Sequence, residues 1–171
     1  MGLDITYYKV ARPLTSDERA NLDAISYDER VVWSEENNIQ RLYVNPNFPG
    51  RDAGLPSDWV FAVVGGSFRA GSYSGYNIWR SQLAAMVGHD VFNPPPAGPF
   101  MELIHFADNE GVIGPIVSAK LAADFEVWQA RAEVFAGSRA DEDNGGWFLR
   151  KYGEWRTAFT EAARGGYVDF H

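Results

Sequence analysis

The order of the segments predicts an α+β fold, an antiparallel sheet with about three to four helices packed on one face. Three observations carry that reading. β-forming runs dominate the first half of the chain, and helical periodicity dominates the second. Each terminus carries a strand-like run. The strict strand–helix alternation of a doubly wound sheet is missing. At roughly 150 residues per domain, the 171 residues make one domain, 1–171.

Asp4 to Val10 is rich in β-formers and reads as a strand that Pro13 ends. Thr15 and Glu18 have the spacing of a capping box, so a short helix is expected to about Ile25. Arg30 to Ser34 and Ile39 to Val44 read as two strands turning at Asn37-Asn38. Asn45 to Arg51 is a loop by composition, and Asn45, Arg51 and Asp52 belong to it unless they face a site. Trp59 to Val64 is a strand stopped by Gly65-Gly66, with Ser67 to Arg69 as an extension. Tyr76, Trp79, Leu83 and Met86 fall on one helical face, which Gly88 closes. The proline-rich stretch Asn93 to Pro99 is a rigid loop, and Phe100 to Phe106 a short helix. Gly114-Pro115 opens one long helix whose apolar face runs Val117, Leu121, Phe125, Trp128, Ala132 and Phe135, closed by Gly137. The acidic turn Asp141 to Asn144 precedes a last helix carrying Phe148, Tyr152, Trp155, Phe159 and Ala162. Tyr167 to Phe170 alternates with period two, a terminal strand.

Composition narrows the function. With no cysteine there is no thiol chemistry, no disulfide and no cysteine-based metal site. The net charge of −8 argues against non-specific nucleic-acid binding, which neutralises phosphates with Lys and Arg. No apolar run approaches the length of about 18 residues that suggests a membrane span, and Met1 to Val10 carries no signal-peptide pattern. The expected location is the cytoplasm. The acidity sits in two segments, 14–38 and 107–145, each net −5, while 65–106 is neutral. A small anion site therefore fits the middle of the chain. No cofactor and no metal is expected.

Two segments look over-specified for packing. Gly65 to Arg80 leaves a strand and enters a helix, so backbone N–H groups at the helix start suit a phosphate or carboxylate. Arg69 and Arg80 would meet phosphate through guanidinium forks. Ser72 and Ser74 add hydroxyls, Asn77 or Glu102 reads a base edge, and Tyr73, Tyr76 and Trp79 stack on a base. The same residues also suit a tight turn, an N-cap at Ser74 and a packed helix face. No Walker A spacing is present. The second segment, Pro99 to Pro115, places Glu102, His105, Asp108 and Glu110 among apolar residues. His105, Glu102 and Asp108 are weak catalytic candidates, and His105, Asp108 and Glu110 are ligand candidates. Against that, Glu102 and His105 would satisfy each other or backbone groups, with Asp108 to Gly111 a turn. His89 reads as merely exposed, and the last residue, His171, as frayed.

The opening Met1 to Thr6, the block Ser67 to Arg80, the block Pro99 to Pro115 and the ending Gly165 to His171 together resemble a family of small, uncharacterised phage and prophage proteins. The resemblance implies a context rather than a mechanism: an accessory factor, counter-defence included, in the cytoplasm of a bacterial host. Three functions follow in order. The first is a binding protein that holds a small anionic, nucleotide-like ligand between the 67–80 and 100–114 segments. The second is an acidic inhibitor of a host protein, steered by the two −5 segments. The third is a hydrolase using His105 with a nearby carboxylate. The aromatic surplus leaves room for a homo-oligomer interface.

Overall fold

A computed structural model describes residues 2–56, 58–107, 110–139 and 144–171. The strands are β1 (Gly2–Pro13), β2 (Ile39–Arg41), β3 (Trp59–Ser72), β4 (Gly111–Ile113) and β5 (Tyr167–Phe170). The helices are α1 (Ser16–Ala24), α2 (Tyr27–Glu36), α3 (Tyr73–Met86), α4 (Met101–Ile104), α5 (Pro115–Val127), α6 (Gln129–Gly137) and α7 (Asn144–Ala162). The five strands form one antiparallel, curled half-barrel sheet in the order β2-β3-β1-β5-β4. Both termini lie inside it: Ile5 pairs with Phe170 and Tyr8 with Tyr167.

Alternation along the strands sorts side chains into two cores. Leu3, Ile5, Ile113, Val168 and Phe170 join α3, α4, α5, α6 and α7 in the main core. Tyr8, Val60, Ala62, Val112 and Tyr167 form a smaller core with Leu42 from the loop after β2. The main core is aromatic: Trp155 touches Phe68, Tyr76, Trp79, Phe159 and Phe170 with centroids 5.0 to 5.7 Å apart. Such stacked, tilted and edge contacts add to what burial contributes.

Several expectations need correction. Seven helices, not three or four, are present among the described residues; α2 stands beside β2 and α1 against α2, and neither contributes to the main core. Arg30 to Ser34 is helical, not a strand. Ser26 and Glu29 form a full capping box, and the acidic first turn Asp28-Glu29 suits the helix dipole, so Val31 and Val32 follow an established start. β3 does not stop at Gly65-Gly66 but runs on to Ser72. The ring of Tyr7 from β1 lies over those glycines, where a Cβ on Gly65 would stand 2.7 Å from it. The long helix breaks at Trp128, whose φ of −96° and ψ of 6° separate α5 from α6. Asp108 and Asn109 of the expected turn lie outside the described residues, and Gly111 opens β4 against Phe170. The helical N-cap is Ser72 rather than Ser74, accepting from the Gly75 N–H at 3.0 Å. His171 is tied down: its backbone pairs with Asp4 and its imidazole bonds the Thr6 hydroxyl at 2.9 Å. The acidic turn 141–143 lies outside the described residues.

The loop from 42 to 58 braces the far edge of the sheet. The Asn45 amide donates to the Glu110 carbonyl at 2.7 Å, and Arg51 Nε donates to the Glu102 carbonyl at 3.0 Å. Asn45 and Arg51 thus face the 100–114 segment, but they hold backbone there.

Candidate functional site

The α3 helix has a buried side and an open side. Tyr76, Trp79, Leu83 and Met86 turn into the main core. Asn77 and Ile78 face outward at the same turns. Arg80 lies between the two sides and is only 7% exposed. Its Nη1 donates to the Ile104 carbonyl, and its Nη2 donates to Asn77 Oδ1 at 2.7 Å. The guanidinium carbon sits 5.4 Å from the Tyr76 ring centroid. Its Nε is buried with no hydrogen-bond partner among the described residues. Among the described residues no carboxylate comes within 4.0 Å of it. Burial pulls its pKa down, and the Tyr76 hydroxyl opposes that. A cation held this deep without an anion costs free energy that a bound anion would offset.

Arg80 lines a groove of about 620 Å³ between α3, the loop after it and the end of α4. Asn77, Ser81 and His105 add polar groups, and Ile78, Val91, Phe92 and Pro94 make apolar walls. Phe92 is 93% exposed, an unusual position for a bare aromatic ring. His105 Nε2 meets the Pro95 carbonyl at 3.1 Å. A carbonyl only accepts, so Nε2 carries the proton and the ring is fixed against the proline loop. A groove of this size, with apolar walls and a few fixed polar groups, suits a small ligand.

The structure thus gathers Asn77, Arg80 and His105 from the eleven ligand candidates. Tyr76 and Trp79 carry no free ring face: the Tyr76 hydroxyl donates to the Phe106 carbonyl at 2.9 Å, and Trp79 Nε1 to the Phe148 carbonyl at 3.4 Å. Arg69 stands near Asp4 at 3.9 Å, outside the groove. Ser72 caps α3, and its hydroxyl meets that of Ser74 at 2.9 Å. Tyr73 packs against the main core. Glu110 is exposed and contributes its carbonyl to Asn45. Asp108 lies outside the described residues. Glu102 does not meet His105. Its carboxylate pairs with Lys120, which also holds Asp124 at 2.8 Å and the Gly98 carbonyl at 2.7 Å. That cluster fixes the start of α4, where Phe100 adopts a left-handed φ of 58° and donates its N–H to Asp124 at 2.7 Å. Among the described residues, no carboxylate lies within 4.0 Å of His105 to orient it as a base.

Two features escaped the sequence reading. One is Phe92, in the loop between α3 and α4. Asp169 alternates onto the side of the smaller core, beside Tyr8 and Tyr167, whose rings stack at 4.3 Å. Burial pushes its carboxyl up to about 7, against a hydrogen bond from the Phe170 N–H. Period-two alternation of Tyr167, Asp169 and His171 was the available signal. Among the described residues no group of three or more His, Asp or Glu is arranged to hold a metal ion, and no helix is long and apolar enough to cross a membrane. No family model, curated protein or solved structure matches the chain.

Proposed function

We propose that this protein is a binding module for a small, planar, anionic ligand of the nucleotide class, held in the α3 groove. One observation carries the reading: Arg80 is a buried guanidinium with a free Nε–H and no carboxylate partner among the described residues. The fixed fork supplies the charge that a phosphate or carboxylate needs. Asn77 and Ser81 supply exchangeable polar groups, and His105 a fixed ring. Stacking falls to Phe92 instead of Tyr76 and Trp79, because those two are spent on the core. The role that goes with this chemistry is that of a phage-type accessory factor which sequesters its ligand, as the resemblance in the four sequence blocks suggests.

Isothermal titration of the folded protein against mono-, di- and cyclic nucleotides tests the reading. Saturable heat with at least one of them is expected. Phe92→Ala, a change at an exposed ring, weakens that binding by about 1–3 kcal/mol, the usual worth of a stacked base. Absence of heat with every nucleotide, at tens of micromolar protein, overturns the proposal.

A further inference from the structure

A second cleft, of about 410 Å³, lies between α2 and the edge strand β2. It shares no lining residue with the α3 groove. Two guanidiniums line it, from Arg30 and Arg41. Neither has a carboxylate within 4.0 Å among the described residues. Arg30 is anchored by its Nε, which donates to the Ile25 carbonyl at 3.3 Å. That leaves its two terminal nitrogens for another acceptor. Arg41 is the cross-strand partner of Trp59, so their side chains share one face of the β2–β3 ladder. Tyr27, 77% exposed, lines the same cleft from the first turn of α2. The Ser34 hydroxyl, on a residue 7% exposed, is buried in the cleft lining with no hydrogen-bond partner among the described residues. A buried hydroxyl without a partner is costly, and a ligand acceptor would recover that cost. Glu35 lines the cleft too, so its charge is +1 in a segment that is otherwise acidic.

We infer that this cleft is a binding site for an aromatic ring that carries a phosphate or carboxylate group. The anion meets Arg30 and Arg41, whose planar forks suit either group. The ring lies against Trp59 and Tyr27. Ser34 donates to an acceptor on the ligand. The antiparallel ladder adds backbone donors: the Asn38 carbonyl accepts from Ala62 on β3 and the Leu42 N–H donates to Asp58 just before that strand, so by alternation the Ile39 and Arg41 N–H groups point away from it. Nothing in this inference depends on the α3 groove.

Three probes separate the two halves of the claim: phenyl phosphate carries ring and anion, inorganic phosphate the anion alone, and benzyl alcohol the ring alone. Each is titrated into the folded protein and followed by two-dimensional NMR. Phenyl phosphate is expected to move the Ser34, Gln40 and Arg41 amides and the Trp59 indole together and saturably. The other two bind at least about tenfold more weakly, as the loss of charged hydrogen bonds or of ring burial requires. Arg41→Gln, at an exposed position, weakens phenyl phosphate by about tenfold, while Phe92→Ala leaves it unchanged. Equal binding of the three probes overturns the inference. So does a response confined to Asn77, Ser81 and Phe92, or none at millimolar phenyl phosphate. Should Arg41→Gln lose structure, Ser34→Ala replaces it, with weaker binding and unchanged Trp59 fluorescence in the free state as the expected pair.

Discussion

Asp169 stands beside two stacked tyrosines on the smaller-core side of the sheet. Burial raises its carboxyl from 3.8 to about 7. Between those values the folded chain keeps a proton that the unfolded chain has released. Stability from this group is therefore full at the acid end of the window, falls as pH rises through it, and is flat above it. Asp169→Asn keeps the hydrogen bond from Phe170 and removes the charge. The variant is expected to lose that slope and to be more stable than the parent above the window, as urea unfolding on either side of it will show. An unchanged slope would place the titration elsewhere. Arg80 is the opposite case at the same scale, a buried charge that cannot give up its proton at any working pH. It therefore calls for an anion where Asp169 calls for a proton.

Elements show what neighbouring residues decide. The capping box at Thr15 and Glu18 was legible, because both halves of it are local and both form. The equivalent box at Ser26 and Glu29 was equally local, yet Val31, Val32 and Trp33 drew the segment toward a strand. Propensity lost there to an end signal. The continuation of β3 through Gly65-Gly66 was not legible, since its cause is a ring 58 residues earlier on β1. Glycine loses more conformational entropy than other residues in a strand, and a cross-strand aromatic that covers it compensates. Gly65→Ala is thus expected to destabilise by about 1–3 kcal/mol through overpacking. In a Tyr7→Ala background the same change costs less, because the atoms it would meet are gone. Thermal or urea unfolding of the four proteins measures that coupling, and equal costs in both backgrounds would show that Tyr7 does not set the strand. The groove was half legible. Helical spacing put Asn77 and Arg80 on α3, but it could not say that Tyr76 and Trp79 spend their rings on Trp155 and Phe148.

Across the whole molecule, β5 closes the sheet between β1 and β4 and feeds both cores. Val168 and Phe170 enter the main core, and Tyr167 the smaller one. Removing residues 167–171 would strip paired backbone from two strands and open both cores at once. That truncated chain is expected to lose cooperative thermal unfolding and near-ultraviolet circular dichroism, whereas a retained sharp transition would contradict the shared role of β5. The same architecture keeps the α3 groove apart from the α2 cleft, which lies at the β2 edge. The acidity of the chain belongs largely to segments outside the α3 groove, which sits in a stretch of zero net charge. The proposed function requires that groove to hold a ligand around Arg80. The most direct measurement is a two-dimensional NMR titration with the nucleotide that gives the strongest heat. The Asn77 and Ser81 amides, the Phe92 ring and the His105 imidazole are predicted to shift together with one dissociation constant. Saturable shifts that leave all four unmoved would contradict it.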